Sequence, residues 1–477
     1  MDRKDASHGT VDYVSYFLSS RSGLVVASKD EKGDAGIFVQ ANKDICRGTN
    51  VMSCSAASIA LDPPYRHSCC AMCARHCPQA SMCTKCRMVM LCFQCRSSKD
   101  DNRHYRECDA LLAIFNLFAT AEEENEGCIT AIDSCHLLTI RLLCQKDHSD
   151  WKIITCLHSV SLSDDVDSDI AFLCSGLLAG NVPRLSWINN EIYKWTLSRV
   201  IGCSHAITDL SLPMGNQAIG QALFTCHSYY NHSCTPNAFL SCVLMIDKPR
   251  CQEGGSAGVV ARLHMLYDVT SGEEITISYI PSSGLGFQER QQRLRKSYEF
   301  TCICQACIEK QILLPPDTDV DSIRQIQFTC NEKLLLLSQL PPNVDEIEHI
   351  VSLIEMTSRG INNQKIPKFH EVSIEADRLL AIANTLLGKK DEATQNHTNF
   401  FSKTSCILHL IDPVAMATQR IQYSKLLEEK EQQIQIKQAI ADLESAIGWD
   451  HPWILRLKDA SSIVLLSPVA KKQKLAC

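Results

Sequence analysis

Between Cys70 and Cys108 the residues able to ligate a metal run Cys70-x2-Cys73-x9-Cys83-x2-Cys86-x5-Cys92-x2-Cys95-x8-His104-x3-Cys108. Two cysteines with two residues between them let one tight turn point both sulfurs at one ion. A His four residues before a Cys puts both on one face of a short helix. Eight such ligands make two tetrahedral zinc sites with no open position, which is structural rather than catalytic zinc. So short a segment has little else to fold around, so metal binding is expected to supply its folding energy. A second cluster, Cys302-x-Cys304-x2-Cys307, is one thiol short of a tetrahedral set. Cys234, inside the string NHSCTPN (231–237), is the candidate for the fourth.

The elements that must position these groups follow from local pattern. Pro236 and the two Asn of 231–237 mark a turn or loop. Downstream, FLSCVLMI (239–246), GVVARLHMLYDV (258–269) and EEITISYI (273–280) alternate with period two and are rich in Val, Ile and Tyr. They read as antiparallel strands. In residues 109–200, LLAIFNLFATAEEE and SCHLLTIRLLC have helical spacing, and LSDDVDSD reads as an acidic loop. His136 and His148, with no partners at metal spacing, read as core or solvated histidines rather than ligands. From about residue 311, after LLPPDTDVD, the chain is expected to be helical, with KEQQIQIKQ as a solvated face.

Composition narrows the class. The 477 residues carry 27 cysteines, yet the N-terminal MDRKDASHGTVDYVSYF has no apolar core or cleavage site and is not read as a signal peptide. Metal rather than a disulfide framework is therefore the expected use of the cysteines. No apolar run approaches the ~18 residues of a membrane helix. A net charge of −7 carries no strong nucleic-acid signal. The length suggests two to four domains, and no heptad run argues against a monomer. The basic string AKKQKLAC reads as a solvated tail rather than an import signal.

The eight-ligand string resembles the MYND zinc finger, whose pairs interleave. The resemblance implies one ion on Cys70, Cys73, Cys92 and Cys95 and another on Cys83, Cys86, His104 and Cys108. The family usually places three residues between its fifth and sixth ligands. Here there are two, which sets Cys95 one position out, about 100° on a helical turn. Cys69 is an alternative to Cys70.

The order NHSCTPN, then GEEITISY (272–279), then CICQAC closely resembles the SET domain, the protein-lysine methyltransferase fold, with its post-SET zinc. With the finger nested ahead of them, the whole chain resembles the SET-and-MYND (SMYD) family. The implied fold is α+β: a SET β fold split by a MYND finger and a helical insert, a post-SET zinc cluster and an all-α, tetratricopeptide-like (TPR-like) C-terminal domain. The implied divisions are 1–66 (SET N-terminal part), 67–110 (MYND), 111–200 (insert), 201–281 (SET core), 282–310 (post-SET) and 311–477 (helical domain). In the last, 376–401 and 437–454 each resemble a tetratricopeptide helix pair, and stacked pairs would arch over the SET cleft.

Residue by residue, the resemblance implies that Asn231 and His232 bind S-adenosylmethionine. Cys234 joins Cys302, Cys304 and Cys307 on a third ion, Tyr279 is the catalytic tyrosine beside the cofactor, and Phe300 packs on the adenine. The segment with Asn231 would pass near Tyr279 as a pseudoknot. Gly36 matches the second glycine of the family's Gly-x-Gly cofactor turn, but Asp34 or a one-residue bulge replaces the first. Cys203 or Ser204 stands where the family has an Asn.

The reaction so implied is methyl transfer to a lysine amine. Only about one lysine in a thousand is neutral at pH 7.4, so the site must desolvate and deprotonate it. Alignment and electrostatics would supply the rate. The implied cofactors are S-adenosylmethionine and three structural zinc ions. The implied partners are a lysine-bearing protein or peptide and Pro-containing peptides at the finger, in the cytoplasm, the nucleus or both. The alternative is a SET scaffold without turnover that works through its finger and tail, and Asp34 with Cys203–Ser204 is the feature that favours it.

Overall fold

A computed structural model describes residues 3–29, 36–77, 79–97, 103–119, 132–145, 151–163, 165–208, 218–244, 258–280, 284–316, 318–338, 343–407 and 412–465. Lys32, Gly33, Asp34 and Ala35, His148 and the AKKQKLAC string lie outside the described residues. Helix α1 (Arg3–Arg21) buries Val14 and Leu18 and leads into β1 (Val25–Lys29), paired antiparallel with β2 (Ile37–Ala41). Strands β3 (Asn50–Ser55) and β4 (Ser58–Leu61) follow, then a small hairpin of β5 (Ser81–Met82) and β6 (Met90–Leu91) and the short α2 (Phe93–Ser97).

Helices follow: α3 (Arg103–Ala119), α4 (Ser134–Leu143), α5 (Trp151–Thr155), α6 (Val166–Ala179) and α7 (Asn190–Cys203). Asp133 and Asn189 cap α4 and α7 by accepting backbone N–H groups at 2.8 Å. The acidic string expected as a loop instead enters α6, where Asp167 and Asp169 in the first turn face the positive end of the helix dipole. His136 is a core histidine: its Nδ1 meets the Tyr193 hydroxyl at 3.0 Å.

Strands β7 (Ser204–Thr208), β8 (Ala218–Leu223), β9 (Asn231–His232), β10 (Ala238–Leu244), β11 (Val259–Met265) and β12 (Thr276–Ile277) complete the β structure. Two three-stranded antiparallel sheets, β10-β11-β3 and β4-β8-β7, each contain a strand from before the cysteine-rich segment and strands from after α7. One buried apolar cluster runs from Val14 to Ile277 through both sheets, the cysteine-rich segment and the helices that follow it. Of the three strands expected antiparallel, only β10 and β11 pair with each other. The third stretch forms just β12, which pairs parallel with β9.

Beyond it lie α8 (Phe287–Tyr298) and the single turn α9 (Gln305–Ile308). The helical tail comprises α10 (Asp321–Leu337), α11 (Val344–Asn363), α12 (Glu371–Leu386), α13 (Lys390–Ser405), α14 (Pro413–Ser424), α15 (Glu429–Ile447) and α16 (Pro452–Leu465). In α11, Ile347, Ile350, Ile354 and Ile361 recur at helical spacing and are all buried. Gly388 (φ +71) takes the left-handed turn after α12 that a side chain resists, and Ala383 and Ala393, fully buried, let α12 and α13 close together. Among the described residues no helix is long and apolar enough to cross a membrane.

Candidate active site and metal centres

The twelve proposed ligands come together as three sets: Cys70, Cys73, Cys92, Cys95; Cys83, Cys86, His104, Cys108; and Cys234, Cys302, Cys304, Cys307. Within each set the donor atoms all lie within 4.8 Å of one another. A tetrahedron with ~2.3 Å metal–sulfur bonds has edges of about 3.8 Å. The edges here match: Cys73–Cys92 is 4.0 Å, Cys83–Cys108 3.8 Å, Cys86 to His104 Nε2 3.6 Å, Cys234–Cys302 3.9 Å and Cys234–Cys307 3.5 Å. Cys95, carried on α2, reaches the first set despite its shorter spacing, and Cys70 rather than Cys69 belongs to it.

Sulfurs this close cannot all ionise unaided. Hydrogen bonds from Cys70 and Cys95 draw Cys73 down to about 3, and the same contacts with Cys70 and Cys73 push Cys95 well up. In the third set Cys304 is drawn down by Cys234 first, and Cys234 is pushed up by Cys302 first. A divalent cation replaces the shared protons in such a set, so the donor chemistry fits zinc. The surroundings orient the ligands. His104 turns Nδ1 to Glu107 Oε1 at 3.2 Å, leaving Nε2 for the ion, and buried Arg141 holds Glu107 from α4 at 3.2 Å. Gln291 brackets Cys302, donating to its carbonyl at 2.8 Å and accepting from its N–H at 3.1 Å.

The second assembly surrounds Tyr279. Thr276 and Ile277 pair in parallel with Asn231 and His232, so the NHSC segment lies against the strand leading into the tyrosine. Asn237 clamps the pair, its amide donating to the Glu274 carbonyl at 2.8 Å and accepting from Thr276 N at 2.8 Å. Asn231 Nδ2 donates to Glu274 Oε1 at 2.9 Å. Gln40 of β2 bridges Glu274, which brings the strand after Gly36 to the same place. Gly36 has φ +70, and a Cβ added there would meet nothing within 4 Å, so its conformation rather than crowding calls for glycine.

His232 Nδ1 accepts the Tyr279 N–H at 3.0 Å, which leaves the ring proton on Nε2, 3.3 Å from Cys234 Sγ. Burial lowers this imidazole to about 4, so it is neutral near pH 7. The Tyr279 hydroxyl donates to the Tyr230 carbonyl at 2.7 Å, and burial pushes it above its usual range. It therefore remains a protonated hydrogen-bonding group. His232 and Phe300 have ring centroids 5.9 Å apart, and Phe300 stands edge-on to Tyr279 at 6.3 Å.

Sequence reasoning missed Tyr298. It ends α8, its ring centroid lies 4.8 Å from that of Tyr279, and its hydroxyl donates to the Tyr279 carbonyl at 3.3 Å. The available signal was a third aromatic two residues before Phe300. A cavity of about 980 Å³ runs beside the Tyr279 and Tyr298 rings. Its lining includes Tyr230, Tyr279 and Tyr298, Cys203 and Ser204, and Met416, Arg420 and Asp442 of the helical tail.

The family model for the SET domain matches residues 36–280, just over half of the chain. The chain belongs to the SET domain family. Among its relatives are proteins of the SMYD type. It is 24% identical over 274 residues to the N-lysine methyltransferase SMYD2-B of Danio rerio, covering 56% of each chain. It is 24% identical over 272 residues to SMYD2 of Homo sapiens, covering 55% of this chain and 56% of that one. The histone-lysine N-methyltransferase ATXR4 of Arabidopsis thaliana matches at 31% over 144 residues, 30% of this chain and 38% of its own. The chain thus spans about half the length, or less, of the curated relatives it matches.

Proposed function

We propose that the protein is an S-adenosylmethionine-dependent protein-lysine N-methyltransferase. The observation that carries this reading is the parallel pairing of Asn231–His232 with Thr276–Ile277, which sets Tyr279 and its hydrogen bond to the Tyr230 carbonyl at the wall of the cavity. Asn231, His232, Gly36 and Phe300 would hold the cofactor, which supplies the methyl group. Tyr279 and Tyr298 form an apolar wall that strips water from an incoming lysine and favours the neutral amine. The Tyr279 hydroxyl and the Tyr230 carbonyl offer oxygens that orient the amine for in-line attack. The neutral His232 positions Tyr279 through its backbone rather than taking a proton.

In this reading the first two cysteine sets are the interleaved sites of a MYND finger (67–110), open to Pro-containing peptides, and the third is the post-SET site (282–310). Each ion would be closed and structural, tying segments together rather than acting on substrate. The SET parts are 1–66 and 201–281 around an insert of 111–200. Residues 311–477 form a TPR-like domain that narrows access to the cleft. Lysine-bearing proteins are the substrates of a monomer acting in cytoplasm, nucleus or both.

The second reading, a scaffold without turnover, is favoured by Cys203 and Ser204. They line the cavity with a thiol bonded to the His158 carbonyl at 3.4 Å and a hydroxyl bonded to Gln221 at 2.8 Å, and bring no amide of their own. Calorimetric titration of the zinc-loaded chain with S-adenosylmethionine separates the two. Saturable one-to-one binding, micromolar or tighter, is the expected result; a folded, zinc-replete chain that gives no heat would favour the scaffold.

A further inference from the structure

One amide in the cavity wall has its direction set from a single side. Gln221 on β8 lies opposite Ala60 of β4 and Ala206 of β7, small neighbours on both strands that leave its long side chain room. Its Oε1 accepts from Ser204 Oγ at 2.8 Å and from Cys135 Sγ of α4 at 3.5 Å. All three residues line the cavity. Burial raises the Cys135 thiol to about 11, so the sulfur keeps its hydrogen and donates.

An amide oxygen held by two donors turns its NH2 group the other way. Among the described residues no protein acceptor meets Gln221 Nε2. Two N–H donors therefore point from a half-buried side chain with no acceptor among the described residues, in a cavity large enough for a small ligand. Ser204 is one of the two residues, with Cys203, that the resemblance places where the family has an Asn. Its hydroxyl spends its proton on fixing a different residue's amide.

We infer that Gln221 is a ligand-binding residue of this site, its Nε2 donating to an oxygen acceptor held in the cavity, with Ser204 and Cys135 as the pair that positions it. The inference rests on the methyltransferase reading. The acceptor chemistry, a carboxylate or carbonyl oxygen, is found both in the amino-acid part of S-adenosylmethionine and in the backbone of a substrate peptide. A lone amide wetted only by water is the alternative, and it predicts no selective effect on either ligand.

The test compares wild type with Gln221→Glu, which keeps the length and shape but exchanges donors for acceptors, and with Gln221→Leu. Calorimetry measures S-adenosylmethionine affinity, and initial rates on a lysine peptide give its KM and kcat. Gln221→Glu should weaken one ligand by about tenfold or more with the melting temperature kept. Weakened cofactor binding with an unchanged peptide KM assigns the oxygen to the cofactor; the reverse assigns it to the peptide. Ser204→Ala, which frees the amide, should move the same constant in the same direction by less, and it serves if the Gln221 variants fold poorly. If folded Gln221 and Ser204 variants match an active wild type in both constants, the inference is wrong and the function stands. A wild type that binds neither ligand overturns both.

Discussion

Tyr279 shows how a single side chain takes its role from the groups around it. Its hydroxyl is held on the Tyr230 carbonyl, its N–H on His232 and its ring against Tyr298. In Tyr279→Phe the ring contacts remain and one hydrogen bond is lost, at a cost to stability of about 1 kcal/mol. The turnover rate should fall by roughly 10²-fold or more, the scale for removing one preorganised donor from a reacting centre. Single-turnover methylation of a lysine peptide measures this, alongside zinc content and thermal unfolding, which should barely change. An unaltered rate would leave Tyr279 as a packing residue.

At the scale of elements, the helix that delivers Tyr298 is anchored to the tail by charge. Glu289 in the first turn of α8 accepts His370 Nε2 at 2.6 Å and the Gly286 N–H at 2.9 Å, and is paired with Arg324 of α10. Arg324 also pairs with Glu371 at the start of α12. Burial alone would raise the Glu289 carboxyl, yet His370 and Arg324 hold it down at about 2. A carboxyl depressed from 4.5 to about 2 stabilises the folded chain above its unfolded pKa, by on the order of 3 kcal/mol, and loses that contribution as pH falls through the window. Glu289→Gln should therefore melt earlier than wild type at pH 7, and the difference should shrink between pH 4.5 and 2. Parallel thermal unfolding curves over that range would refute the assignment.

Across the whole molecule, the cysteine sets join segments that the chain keeps far apart. Cys234 meets Cys302 and Cys307 across 68 and 73 residues, closing the end of α8 onto the NHSC loop. The tail closes on the SET sheet through Arg262–Asp450 at 2.8 Å and through Gly448, where a Cβ would come within 2.7 Å of His264 Nε2. Elemental analysis should give three zinc ions per chain. Cys304→Ser should give two and weaken S-adenosylmethionine binding together with them, because Phe300 and Tyr298 directly precede that cluster. Full cofactor affinity in a chain with two ions would uncouple the cluster from the site.

That these cysteines and His104 gather into sets able to hold a metal could be read from the chain because thiol pairs two residues apart carry their geometry locally, and a tetrahedral set tolerates small changes in spacing such as that of Cys95. NHSCTPN and GEEITISY were readable for a similar reason: turn residues and a strand in short strings of distinctive composition. Helices with regular apolar spacing, such as α11, were equally local. Pairing partners were not. That 273–280 leaves the antiparallel sheet to lie parallel to residues 231–232 depends on contacts more than 40 residues apart, which period-two alternation does not encode. Tyr298 needed α8 to deliver it to Tyr279, and Gln221 became a candidate only when Ser204 and Cys135 fixed its amide from two other elements. Composition and spacing specify what a segment can bind; which side chains share a cavity is decided by packing, because burial and hydrogen bonding act between neighbours in space.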